Sequence, residues 1–126
     1  MFITTLDEAR TYRSPLPHIR YGRILFDEKI IPGAHMGLYT MRFEPGGEST
    51  KHVHDTEVEV FFCLTGKGRT VVAGKEIALE PGKVVYIHPG EEHQTFCAGD
   101  EPLEMLCIFA PPPTDNPPRE WEPVTE

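Results

Sequence analysis

His52, His54, Glu59 and His93 are a set of side chains able to ligate a metal ion. Three imidazoles and one carboxylate make a complete protein shell for a transition metal. His52 and His54 are two apart, and side chains on an extended chain repeat every two residues, so both rings turn to one face. Glu57 and Glu59 also share a parity, so strand period alone leaves either free to face inward. Neutral imidazole suits Fe, Mn, Ni, Zn and Cu, and the carboxylate adds an anionic oxygen. The expected cofactor is therefore one divalent transition metal. Four protein ligands leave up to two positions of an octahedral ion open for water or a bidentate ligand. An open position is what separates a catalytic metal from a structural one. A lone histidine is more often a satisfied core residue, so the weight rests on the group.

Short strands must position these residues. Thr5 and Glu8 suggest a capping box on a single helical turn over 5–12. Strands are expected at Arg20 to Phe26, Met36 to Phe43, Thr50 to His54, Val58 to Leu64, Arg69 to Val72, Glu76 to Leu79, Val84 to Ile87, His93 to Cys97 and Leu103 to Phe109. In the second of these, Met36, Leu38 and Thr40 fall on one face and Tyr39, Met41 and Phe43 on the other. Pro32-Gly33, Pro45-Gly46-Gly47, Gly66-Lys67-Gly68, Ala73-Gly74-Lys75, Pro81-Gly82 and Pro89-Gly90 punctuate them. Many short strands with no long helix indicate an all-β antiparallel sandwich or barrel.

With these elements placed, the spacing can be compared with known patterns. Gly46, then His52-Val53-His54, Glu59 and Gly66 follow one another at set intervals, and Gly82, Pro89-Gly90 and His93 come later. This order resembles the two signature motifs of the cupin superfamily, the first complete and the second partial. The motifs cover residues 46–97, and the strand pattern extends the likeness to about 20–110. The resemblance implies an antiparallel double-stranded β-helix, a jelly-roll-like barrel of two facing sheets with a metal inside one end. It selects Glu59 over Glu57 and names His52, His54, Glu59 and His93 as metal ligands. It also implies a homodimer, often made by exchanging or pairing N-terminal strands. Two departures stand out: His88 replaces a usual Pro, and Cys97 a frequent Asn. His88 is either a pocket acid or base, since its ordinary pKa is near neutral, or a solvated loop residue. Cys97 is a thiol near the metal or a small buried residue. Cys63 shares parity with Glu59 and Phe61 and is expected to face the interior. Tyr39, Tyr86, Phe61 and Phe96 are candidate pocket walls. His18 and His35 lie outside the motifs and read as surface residues.

The division expected is an N-terminal extension over 1–19, a barrel over 20–110 and a Pro-rich tail over 111–126. Six prolines crowd that tail. Its composition suits disorder, and the alternative is a segment docked through Trp121, the only Trp, on its own barrel or on a partner subunit. The 126 residues suit one domain. A net charge of -8 argues against nucleic acid and anionic membranes as partners, because both demand a basic face. A bound cation can still reverse the local field, so a small anionic ligand stays compatible. The start of the chain lacks the basic and apolar stretches of a secretory signal, and the three cysteines form no disulfide or zinc framework. The expected location is cytoplasmic. Three functions fit: a metal-dependent enzyme on a small oxygenated metabolite, a metal-mediated binding or sensing protein, and a structural cupin. The enzyme reading spans isomerase, lyase, decarboxylase and dioxygenase chemistry, because a fold does not choose a reaction.

Overall fold

Strands built from β-branched and aromatic residues alternate inward and outward around one core. The computed structural model describes residues 1–125. A short 3-10 turn at Leu6–Glu8 precedes ten strands. These are β1 (Thr11–Arg13), β2 (Tyr21–Phe26), β3 (Gly37–Phe43), β4 (Val58–Thr65), β5 (Gly68–Val72), β6 (Lys75–Leu79), β7 (Val84–Ile87), β8 (His93–Cys97), β9 (Leu103–Ala110) and β10 (Glu122–Pro123). They form two antiparallel sheets, ordered β10-β1-β2-β3-β9-β4-β7 and β6-β5-β8. The fold is the expected all-β barrel of two facing sheets.

The inward residues of β3, β4, β7 and β9 meet those of the smaller sheet. Tyr39, Phe43, Phe61, Cys63, Ile87, Met105, Cys107 and Phe109 from one side pack with Val72, Leu79 and Cys97 from the other. Each large side chain buried this way contributes about 2 kcal/mol. Gly66 shows why glycine closes the ligand-bearing hairpin. Its φ is 81°, and a Cβ there would lie 2.2 Å from the Pro102 carbonyl oxygen.

Three local expectations change. Thr5 makes no side-chain cap; Thr4 Oγ1 donates to Glu8 instead, at 3.1 Å. The turn is a single 3-10 turn, too short to reward a capping box. Thr50 to His54 is not a continuous strand. Only His52 pairs there, in an isolated bridge with His93, because the neighbouring Glu48 bridge engages Phe96 and no further ladder follows. The tail over 111–125 docks on the barrel, with Pro112, Pro113, Pro117, Pro118 and Trp121 buried. Proline rings lack an N–H to satisfy, so a proline-rich ribbon can bury apolar area with few orphaned donors.

The docking is specific. Arg119 holds the Asp27 carboxylate through both nitrogens, at 2.6 and 2.9 Å. Trp121 Nε1 donates to Asn116 Oδ1 at 3.0 Å. β10 pairs with β1, which pairs with β2. Gly22 on β2 makes the space: a Cβ there would lie 3.0 Å from Pro118 and 3.2 Å from the Trp121 ring.

Candidate metal centre

One loop and two strands bring the four chemical residues together. His52 and His54 lie on the extended stretch before β4, Glu59 is the second residue of β4, and His93 opens β8. The His52–His93 bridge clasps two of them by their backbones. His52 N donates to His93 O at 3.0 Å, and His93 N donates to His52 O at 2.8 Å. One donor atom from each of His52, His54, Glu59 and His93 lies within 4.8 Å of the other three, an arrangement that can hold one metal ion. Glu57 is not part of the group; its carboxylate accepts from Thr56 instead.

Backbone carbonyls orient two of the rings. His52 Nδ1 donates to Thr50 O at 2.8 Å, and His93 Nδ1 to Glu91 O at 3.0 Å. Each contact frees Nε2 to face the centre, the orientation that ligating histidines commonly receive. Glu59 is 4% exposed, and its Oε1 lies 3.0 Å from His93 Nε2 and 3.3 Å from His54 Nε2. His54 Nε2 is buried and makes no hydrogen bond. A buried ring nitrogen without a partner, beside a buried carboxylate and two oriented imidazoles, fits a cation that takes its lone pair.

The electrostatics fit as well. Burial alone would raise Glu59, but the His54 and His93 rings outweigh it and hold its carboxyl below the ordinary range. Burial, reinforced by His93, pushes His52 down to about 4, which keeps that ring neutral and able to ligate near neutral pH. The Glu59 carboxylate pulls His54 the other way, above its ordinary value.

The group opens into a cavity of about 150 Å³. Tyr39 and Phe61 line it, as expected for pocket walls. Tyr86 and Phe96 do not: Tyr86 is exposed on β7, and Phe96 stacks beneath Arg69. His88 is not brought to this group. It continues the outward parity of Tyr86, is exposed, and its ring sits 4.8 Å from the Tyr86 ring. Cys97 and Cys63 are buried core thiols away from the cavity lining. His35 is exposed, whereas His18 is half-buried, 3.5 Å from Glu48.

Several lining residues escaped the motif reading. Cys107, Met105 and Phe109 follow the inward parity of β9, a signal present in the sequence. Burial pushes the Cys107 thiol well up, so it stands as a neutral wall group. Arg20, Asp115, Asn116 and Trp121 also line the cavity. The tail residues carry no motif and reach the site only through tertiary docking.

A small two-sheet barrel with a His₃Glu cluster inside one end defines the class of protein. Residues 39–109 match the Cupin domain family, and the chain belongs to it. L-ectoine synthase of Bordetella petrii is 38% identical over 73 residues, covering 56% of this chain and 53% of that protein. The chain thus aligns with about half the length of that relative. A cupin 2 conserved barrel domain protein from Salinispora arenicola shares 28% identity at a TM-score of 0.69, covering 87% of this chain and 88% of the other. A predicted oxalate decarboxylase from Thermotoga maritima superposes with a TM-score of 0.79 at 21% identity, covering 86% and 98% respectively. That last likeness speaks to the fold.

Proposed function

We propose that His52, His54, Glu59 and His93 bind one divalent transition metal, and that the chain is a metal-dependent enzyme acting on a small oxygenated metabolite. The observation that carries this is the unpartnered, buried Nε2 of His54 beside Glu59, inside a cluster that opens into a cavity. A bound ion supplies Lewis acidity, or O₂ activation if it is iron. The chain's own residues do the rest. Glu91 and Thr50 carbonyls fix ring orientation. Phe61, Met105 and Phe109 shield the centre from bulk water. The cavity favours chemistry over a closed structural ion, which needs no room for a ligand. The resemblance to an L-ectoine synthase adds an enzyme precedent, though over part of that protein.

Elemental analysis of the purified chain is expected to find close to one divalent metal per chain. Occupancy well under half after metal reloading would overturn the reading.

The protein is read as a cytoplasmic homodimer. All three cysteines are free and buried, which suits a reducing compartment. No helix among the described residues is long and apolar enough to cross a membrane. The outer face of the larger sheet is apolar where β4 meets β7, with Phe62 opposite Val84 and Val60 opposite Tyr86. Phe62, Val84 and Tyr86 are exposed there, a face that a second copy can cover. Light scattering is expected to give twice the 14.2 kDa chain mass. A monomer mass at micromolar concentration would remove the dimer.

A further inference from the structure

We infer that the guanidinium of Arg20 is the anion-recognising group of this cavity, and that the molecule bound beside the histidine cluster carries a carboxylate. The inference begins with strand parity. Arg20 immediately precedes β2 and alternates with Gly22 and Ile24, both buried. Its side chain therefore turns inward, and it lines the same cavity as His52, His54 and Glu59.

Five of the other six arginines set a contrast. Arg13, Arg23, Arg42, Arg69 and Arg119 each meet a carboxylate. Arg20 meets none among the described residues. Its side chain makes one long contact, Nη1 donating to His18 O at 3.4 Å, and its Cζ lies 4.7 Å over the Trp121 ring. A guanidinium carries five N–H donors in a planar fork. Most of that fork is unspent, on a half-buried residue facing a cavity. Burial lowers the Arg20 pKa, so its charge is held in an environment that resists it. Such an arrangement is costly unless an anion completes it. The Trp121 ring covers one side of the guanidinium, and the planar fork left open toward the cavity suits bidentate recognition of a planar carboxylate.

The rest of the lining agrees. The Tyr39 hydroxyl is buried without a hydrogen-bond partner, a second unspent donor on the cavity wall. Burial raises its pKa, so it remains a neutral donor. Charge points the same way. Glu59 and Asp115 together outweigh Arg20 by one charge, and a divalent ion then leaves the cavity with one uncompensated positive charge. This charge argument rests on the metal reading above; the unspent guanidinium does not.

The test compares malonate with malonamide, which replaces both carboxylates by uncharged amides of the same shape. Binding is read by calorimetry and by the fluorescence of Trp121, the only tryptophan. Wild-type protein is expected to prefer malonate by about 10–100-fold, the worth of a bidentate charged contact. Arg20→Gln is expected to reduce that preference below about threefold, with metal content unchanged. Arg20→Lys, which keeps the charge and loses the fork, is expected to fall between them. Equal binding of the two probes to wild type overturns the inference without any variant, and so does failure of malonate to bind at millimolar concentration. A full preference surviving in a folded Arg20→Gln protein overturns it as well. Metal content is measured on the same samples. If wild type takes up no metal, the metal reading falls separately, and the malonate preference of the chelated protein still decides the role of Arg20.

Discussion

Two parts of one cavity are built by opposite strategies. The histidine part is local: His52, His54 and Glu59 share one short stretch, and His93 is clasped to it by a reciprocal backbone pair. The arginine part is assembled from nearly the whole length of the chain. Arg20 comes from the N-terminal side, Trp121 from the C-terminal tail, and the two meet ring against guanidinium. The first part is held by contacts to its own backbone, at Thr50 and Glu91. The second is held by tertiary docking, through the Arg119–Asp27 pair and the space left by Gly22. Labour is divided between them: local geometry fixes the histidine–glutamate cluster, and segments far apart in sequence decide what lies beside it.

Removing a ligand is the most severe way to break the comparison. His54→Ala is expected to weaken metal affinity by up to about 4 kcal/mol, roughly 1000-fold, as one quarter of a four-ligand site. Melting temperature should fall in the presence of metal and change little with chelator present, because binding to the folded state couples to stability. Trp121 emission should stay blue-shifted in this variant if the two parts are independent. Equal melting curves for wild-type protein with and without chelator would remove the coupling.

Cutting the other part should leave the ion in place. Trp121→Ala removes a ring that is 6% exposed and is expected to cost about 3 kcal/mol in denaturant melts. Limited proteolysis should then cleave within 111–121, while metal content stays near the wild-type value. Loss of metal along with the tail would mean that the two parts act as one unit.

This division also explains what could be read from the chain. The histidine–glutamate cluster was legible because Gly46, His52, His54, Glu59 and Gly66 lie close in sequence, and turn glycines fix their entry and exit. Strand parity foretold the inward Tyr39 and Phe61. Phe96 and His88 were expected near the site from residue type, and their strand parity turns both away from it. Phe96 faces Arg69 outside, and His88 lies beyond the end of β7. Composition misread the tail. Six prolines signal disorder in isolation, yet Asp27 receives Arg119 and Gly22 leaves room for Pro118 and Trp121, and neither residue advertises that in sequence. Arg20 carries no motif either: strand parity gives its inward face, and only the docked tail shows what it faces.

The gentlest probe of the comparison is acid. Asp27 is 2% exposed, and burial alone would raise its pKa. The Arg119 guanidinium and the N–H groups of Ile30 and Lys29 outweigh burial and hold the carboxyl below its ordinary 3.8. A group whose pKa is lower in the folded state stabilises that state above its unfolded pKa. The contribution of this pair is therefore complete above about pH 5 and is lost as pH falls through 4 toward the folded value. Tail release, followed by the red shift of Trp121, is expected in that window. Asp27→Asn should cost about 2 kcal/mol at neutral pH, the worth of hydrogen bonds to a charged group. It should also flatten the acid transition of Trp121, since the titrating carboxyl is gone. An Asp27→Asn protein that keeps the wild-type acid transition would assign the transition to the histidine part of the cavity, where Glu59 is also held low, and would join the two parts that the structure separates.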